Sequence, residues 1–166
     1  TGLANRPMFL HKAGEFVEAA AARGTTPALL LLDIDRFKTI NDSLGHESGD
    51  VILVQVAERL RALVRVEDTL ARLGQDQYAI LMARSDEAEA VMLAREALEQ
   101  LARPIHVSGH TIHITASLGV ALCPRDGASA DLLLKNADRA MHRAKEEGIG
   151  LRFFDAAQDS QGQERL

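Results

Sequence analysis

Residues 28–35 read ALLLLDID, an unbroken apolar run that ends on acids. A run this short, opened by Pro27, fits a strand better than a helix. With no polar residue breaking it until Asp33, it belongs to a buried strand and not to a half-wet one. It is also far too short to cross a bilayer. The chain therefore has to build a sheet around this segment and cover it.

The neighbouring patterns supply the cover. From Arg6 to Arg23, Phe9, Ala13, Phe16, Val17 and Ala20 recur at helical spacing, and Gly24 and Pro27 end that helix. A short helix spans roughly Phe37 to Leu44. Leu53, Val56, Ala57, Leu60, Leu63 and Val64 then mark an amphipathic helix. Strand, turn and strand follow in DTLARLGQDQYAILM. Ser85 is positioned to cap a helix that runs to about Ala102 and stops before Pro104. IHV-SGH-TIHITASLGVAL reads as a hairpin and a long strand, Ser129 caps a last helix ended by Gly148, and LRFFD is a final short strand. The expected order is α-β-α-α-β-β-α-β-β-α-β. Strands that meet directly at hairpins make part of the sheet antiparallel, so the expected class is α+β, helices packed on a mostly antiparallel sheet.

The 166 residues suit one domain with a full core. A net charge of −5 argues against a nucleic-acid polymer as partner, because such affinity comes from neutralising phosphates. A single nucleotide carrying its own metal ions is not excluded. One cysteine, Cys123, allows no internal disulfide and fits a reducing compartment. It reads as a small strand-end filler, since no histidine stands in a partner motif. No signal peptide or membrane contact is visible, which suggests a cytoplasmic domain, whether or not its parent is membrane-anchored. The polar tail DAAQDSQGQERL reads as a connection to more chain.

The acids carry the chemistry. Asp33 and Asp35 stand where the buried strand emerges, and Asp76 stands at a hairpin turn. If the two strands are neighbours, Asp33 and Asp76 converge on one cation, in the way proteins hold Mg²⁺ with few protein ligands and a phosphate substrate. The bland alternative is solvated acids at strand ends. Asp33, Lys38, Asn41 and Asp50 also fall within one helix-and-loop segment. An amide and a carboxylate match the donor edge of guanine, and a lysine can meet phosphate.

The segments TGLANR, DIDRFKTIND, GHESGD, ARLGQDQYAI, ITASLGVAL and NADRAMHRAKEEG resemble, in content and order, the motifs of the GGDEF domain, the diguanylate cyclase family that makes cyclic di-GMP from two GTP molecules. The resemblance covers residues 1 to about 155, with 156–166 left as linker. It implies a fold like the palm of nucleotide cyclases and polymerases. It also implies Mg²⁺ at Asp33, the Ile34 carbonyl and Asp76, and guanine at Asn41 and Asp50. Phosphates would lie at Lys38, at the backbone around Phe37 and at Lys145. Two subunits, each holding one GTP, would face each other for the reaction. Arg65 and Asp68 match the offset of the family's inhibitory cyclic di-GMP site; the plainer reading is an ion pair near a helix C-terminus. The tail resembles linkers to a following EAL phosphodiesterase domain. His46 in GHESGD reads as shaping the loop and not as an acid or ligand, and Asp35 and Asp42 read as capping or pairing groups.

The name motif departs from the family pattern. It stands as Gly74-Gln75-Asp76-Gln77-Tyr78. Tyr78 for Phe is a mild change at a core position. Gln77 for Glu removes a charge beside the metals. Gln75 for Gly adds a side chain where nucleotide and backbone approach closely, and is expected to strain a turn that favours positive φ. Ile149 stands where the family places a base after its last helix. Losing a comparable electrostatic group elsewhere costs ~10²-fold or more in rate. The expectation is a degenerate domain that binds GTP or cyclic di-GMP and regulates a neighbour. An active cyclase and a nucleotide-free dimerisation scaffold are the alternatives.

Overall fold

The structure is a computed structural model and describes residues 3–157. The element order is α1 (Arg6–Arg23), β1 (Ala28–Ile34), α2 (Phe37–Leu44), α3 (His46–Arg61), β2 (Thr69–Arg72), β3 (Gln77–Met82), α4 (Glu87–Ala102), β4 (Ile105–Val107), β5 (His110–Ile112), β6 (Ala116–Leu122), α5 (Ala130–Glu147) and β7 (Leu151–Phe153). The main sheet runs β2-β3-β1-β6-β7, and β4-β5 form a separate hairpin. β1 lies at the centre, antiparallel to β3 and β6, while β7 joins β6 in parallel. The expected α+β sandwich on a mostly antiparallel sheet is what the chain forms.

Alternation along β1 divides the interior in two. Leu30, Leu32 and Ile34 join Tyr78, Ile80, Ile52, Val56 and Leu93 on the α3–α4 face. Leu29 and Leu31 join Phe9, Ala79, Leu133 and Met141 on the α1–α5 face. Both faces of β1 are covered, which is why its sequence shows no polar interruption. Tyr78 is fully buried, and its hydroxyl donates to the Leu53 carbonyl at 2.8 Å, so the extra oxygen is satisfied within the core. Gly119 sets the spacing of α5 on β6: a Cβ there would run into the Ala137 carbonyl and the Met141 amide.

The helix ends follow their local chemistry. Asn5 caps α1 through Met8 N–H, Ser129 caps α5 through Leu132 N–H, and Gly24 and Gly148 close the same helices in the left-handed region. Two expectations need correction. Asp86, not Ser85, caps α4: its carboxylate accepts from Glu89 N–H at 2.7 Å, a charge-assisted bond that outcompetes a hydroxyl, and Ser85 turns its hydroxyl to the Asp86 carbonyl. The long strand after the hairpin is also broken between Ile112 and Ala116. There the Thr115 carbonyl accepts from Asp35 N–H at 2.9 Å, so the backbone serves the β1–α2 junction and leaves the ladder.

Candidate functional site

The site begins where β1 ends. Asp33 is opposite Gln77 on one side and Ser117 on the other, and Ile34 N–H donates to the Asp76 carbonyl at 3.1 Å. That bond holds the β2–β3 turn, with Asp76, against the end of β1. The two acids therefore converge, as neighbouring strands require. Asp33 is buried; its Oδ2 accepts from Lys145 Nζ at 2.8 Å, while its Oδ1 is buried without a partner. Asp76 is half-buried. Its pKa is pushed up to about 6, first by burial and then by the hydrogen bond and charge of Asp33, with a backbone hydrogen bond and Lys145 opposing.

Two carboxylates so close need a proton or a cation between them. Lys145 brings a single positive charge to the pair. The vacant lone pairs of Asp33 Oδ1 and the repulsion felt by Asp76 fit a hard divalent cation such as Mg²⁺. Among the described residues no group of three or more His, Cys, Asp or Glu side chains is arranged for a metal. A cation here would thus complete its shell with backbone, water or phosphate oxygens.

Asn41 lies buried on α2 with its amide oxygen unpartnered, pressed against Gly49 of α3; a Cβ at Gly49 would fall on that oxygen. Asp50 follows Gly49 and is exposed, as is Lys38, whereas Phe37 is buried in the core. Nothing local in GHESGD marks Gly49, because its close contact is with Asn41 on the preceding helix. A cavity of about 930 Å³ opens beside the β1 end, with Asp35, Arg36, Thr39, Ser117, Lys145 and Gly148 in its wall. Asp35 is a pairing group, accepting from the Thr115 and Ser117 hydroxyls at 2.7 Å each.

The variant positions divide. Gln75 is exposed and does not take positive φ, so the expected strain is absent. Leu73 N–H donates to the Gln77 carbonyl at 3.0 Å, and the Arg72 guanidinium closes the turn on the carbonyls of Gly74 and Gln75. This arrangement needs no left-handed residue at 75. Gln77, across from Asp33, lines a cavity of about 490 Å³ between α1 and α5, with Arg6, Lys135, Asp138 and His142. Ile149 is 50% exposed just beyond α5.

Arg65 and Asp68 lie at the other end of the hairpin. Asp68 is buried, taking Ala83 N–H at 3.1 Å and Arg65 Nε at 3.1 Å; Arg65 is 42% exposed and also donates to the Arg84 carbonyl. Its pKa is raised, chiefly by the hydrogen bond to Asp68. Cys123 is buried after β6, and burial pushes its thiol up, consistent with an inert filler.

The fold and site together define a class: an α+β sandwich that gathers a pair of carboxylates at the end of its central strand, beside an open cavity. The chain belongs to the GGDEF family, described as diguanylate cyclase, GGDEF domain, whose model matches residues 1–150. It is 39% identical over 167 residues to the bifunctional diguanylate cyclase/cyclic di-GMP phosphodiesterase MucR of Pseudomonas aeruginosa, covering 100% of this chain and 24% of that protein. The GGDEF domain of TpbB from Pseudomonas aeruginosa superposes with a TM-score of 0.94 at 36% identity, covering 98% of this chain and 96% of that one. The GGDEF domain of DgcB from Caulobacter crescentus, solved in complex with c-di-GMP, gives 0.87 at 27% identity, covering 92% of each chain.

Proposed function

We propose that this domain binds GTP with Mg²⁺ at the β1 end, turns it over weakly or not at all, and passes its nucleotide state to a neighbouring domain in cyclic di-GMP signalling. One observation carries the reading. Among the described residues, the buried side-chain polar atoms without a partner are Asp33 Oδ1 and Asn41 Oδ1. Leaving a buried acceptor unpaired costs about 1–3 kcal/mol, a cost a ligand removes. One oxygen suits a cation; the other suits an N–H of guanine, with Asp50 accepting a second.

In this reading Asp33, Asp76 and the Ile34 carbonyl hold Mg²⁺, which when bound supplies charge stabilisation for phosphoryl transfer. Lys38, Lys145 and the backbone around Phe37 hold phosphates, and two copies of the domain face each other across their nucleotides. Gln75, Gln77 and Ile149 remove positioning or charge around the triphosphate, and that motivates weak turnover. Arg65 with Asp68 is the candidate site for cyclic di-GMP. The domain ends near residue 155, and 156–166 lead toward a following domain, such as an EAL domain; residues 158–166 lie outside the described residues. A GTP-dependent role places the domain in the cytoplasm. No helix among the described residues is long and apolar enough to cross a membrane.

The unstrained turn at Gln75 favours a second reading, an active cyclase with a variant motif. Calorimetry with Mg²⁺-GTP beside a turnover assay on the same sample decides. Binding is expected, weakened by Asn41→Ala or Asp50→Ala by roughly 1–3 kcal/mol. Turnover of order 1 s⁻¹ or faster would establish the active reading. No binding at millimolar GTP would leave a scaffold.

A further inference from the structure

We propose that Arg36 and His113 form the subsite for the terminal phosphate of the nucleotide, standing in for the base that is missing at Ile149. This rests on the GTP reading above and adds residues to it. The cavity beside the β1 end has Arg36 at the start of α2, His113 in the break between β5 and β6, and Lys145 and Gly148 at the end of α5. Its wall carries one carboxylate, Asp35, whose oxygens already accept from Thr115 and Ser117.

Lys145 alone is a poor match for a triphosphate. Its ammonium is drawn to Asp33 at 2.8 Å, so part of its charge already serves the acid pair. Arg36 and His113, by contrast, are exposed on the cavity wall and make no side-chain hydrogen bond or ion pair among the described residues. Arg36 also takes a left-handed backbone, φ 55°, as it precedes α2 without a side-chain cap bond. A bulky residue pays for that conformation in strain, so its presence calls for a reason. A guanidinium with five donors grips a phosphate through paired hydrogen bonds, and an imidazole N–H adds another. Beyond Lys145 the chain leaving α5 adds no further base, because Ile149 stands between Gly148 and Gly150 of the cavity wall.

The test compares Mg²⁺-GTP with Mg²⁺-GMP by calorimetry in wild type, Arg36→Asn and His113→Gln. Asparagine tolerates the left-handed region, so the first variant keeps the backbone, and thermal melting checks both folds. Arg36→Asn should weaken GTP about tenfold or more, and His113→Gln by a smaller factor, with GMP unchanged in both. Ile149→Arg added to Arg36→Asn should restore GTP affinity, since it returns a base to the same phosphate. If wild type prefers GTP over GMP and both variants keep that preference, the subsite is refuted while GTP binding stands. Equal weakening of GTP and GMP also refutes it, because the residues would then act on the shared part of the ligand. Wild type that binds neither nucleotide refutes the GTP reading itself, and the subsite with it.

Discussion

Asp76 and Asp33 form a charged pair whose repulsion is set by geometry that the fold cannot relax, because the Ile34–Asp76 backbone bond ties the turn to β1. Lys145 and a backbone hydrogen bond offset only part of it, leaving Asp76 at about 6 through burial and Asp33. For a carboxylate raised from 3.8, the folded state holds its proton more tightly than the unfolded chain does. The stability from this group is fully present below the unfolded value and is lost as pH rises through about 6. Asp76→Asn should therefore melt higher than wild type near neutral pH without metal, with the gap closing below about pH 4. Melting curves of the chelator-treated proteins across that range check it; a gap independent of pH would mean that folding does not raise the Asp76 pKa. Gly49 makes a second residue-scale test. Gly49→Ala drives a methyl into the Asn41 amide, which should lower stability by about 1–3 kcal/mol and weaken GTP more than a distant alanine of equal stability cost.

At the scale of elements, helix ends decide how layers lock. Arg59 on α3 donates to the carbonyls of Gln100, Arg103 and Pro104, all at 2.8 Å, and so satisfies the C-terminus of α4, which has no basic residue in its last turn. Its own pKa is lowered by burial and by Arg103 nearby, a sign that the placement is costly for the charge. Arg59→Ala should destabilise by about 1–3 kcal/mol in urea unfolding, while Glu58→Ala, at the exposed position just before it, should change little. What the sequence disclosed of these elements follows from their local codes. α1, α2 and α5 ended where Gly24, Leu44 and Gly148 predicted, and β1 was legible because both its faces are apolar. The break before β6 was not, because its cause is a long-range bond from Asp35 to Thr115 that no local pattern carries. The same limit hid the site's finer parts. The acids were visible as residue types, but the Lys145–Asp33 pair and the Asn41–Gly49 contact join segments that only the fold brings together. The opposite error arose at Gln75, where a turn-type expectation ignored the Arg72 guanidinium that holds the loop.

For the whole molecule, the β2–β3 hairpin places two chemistries at its opposite ends. Asp76 sits at the turn, and Arg65 and Asp68 sit before the far end of β2, where Thr69 pairs with Leu81. A strand of this length separates them by roughly 15–20 Å, so a ligand at one end does not touch the other. At the Arg65 end, Asp68 is committed to Ala83 and to Arg65 and is nearly wholly buried, which leaves the partly exposed guanidinium as the group facing solvent. If this is a cyclic di-GMP site, the ligand is held by arginine on phosphate and guanine and needs no metal. Cyclic di-GMP should then bind equally with Mg²⁺ or chelator, and Arg65→Ala should abolish that binding while GTP affinity at the β1 end is unchanged. Losing a charge-assisted, often bidentate contact costs a few kcal/mol, whereas a surface ion pair of no further use costs under about 1 kcal/mol of stability and no affinity. Arg65→Lys separates the two further: it keeps the charge beside Asp68, Glu67 and Glu89 but loses the planar fork, so it should keep stability and still lose ligand. Titrating cyclic di-GMP into all three proteins is the measurement. Equal affinity across them, or none in wild type, makes Arg65 and Asp68 a structural clasp between the α3–β2 loop and the end of β3, and leaves GTP as the nucleotide through which the domain would act.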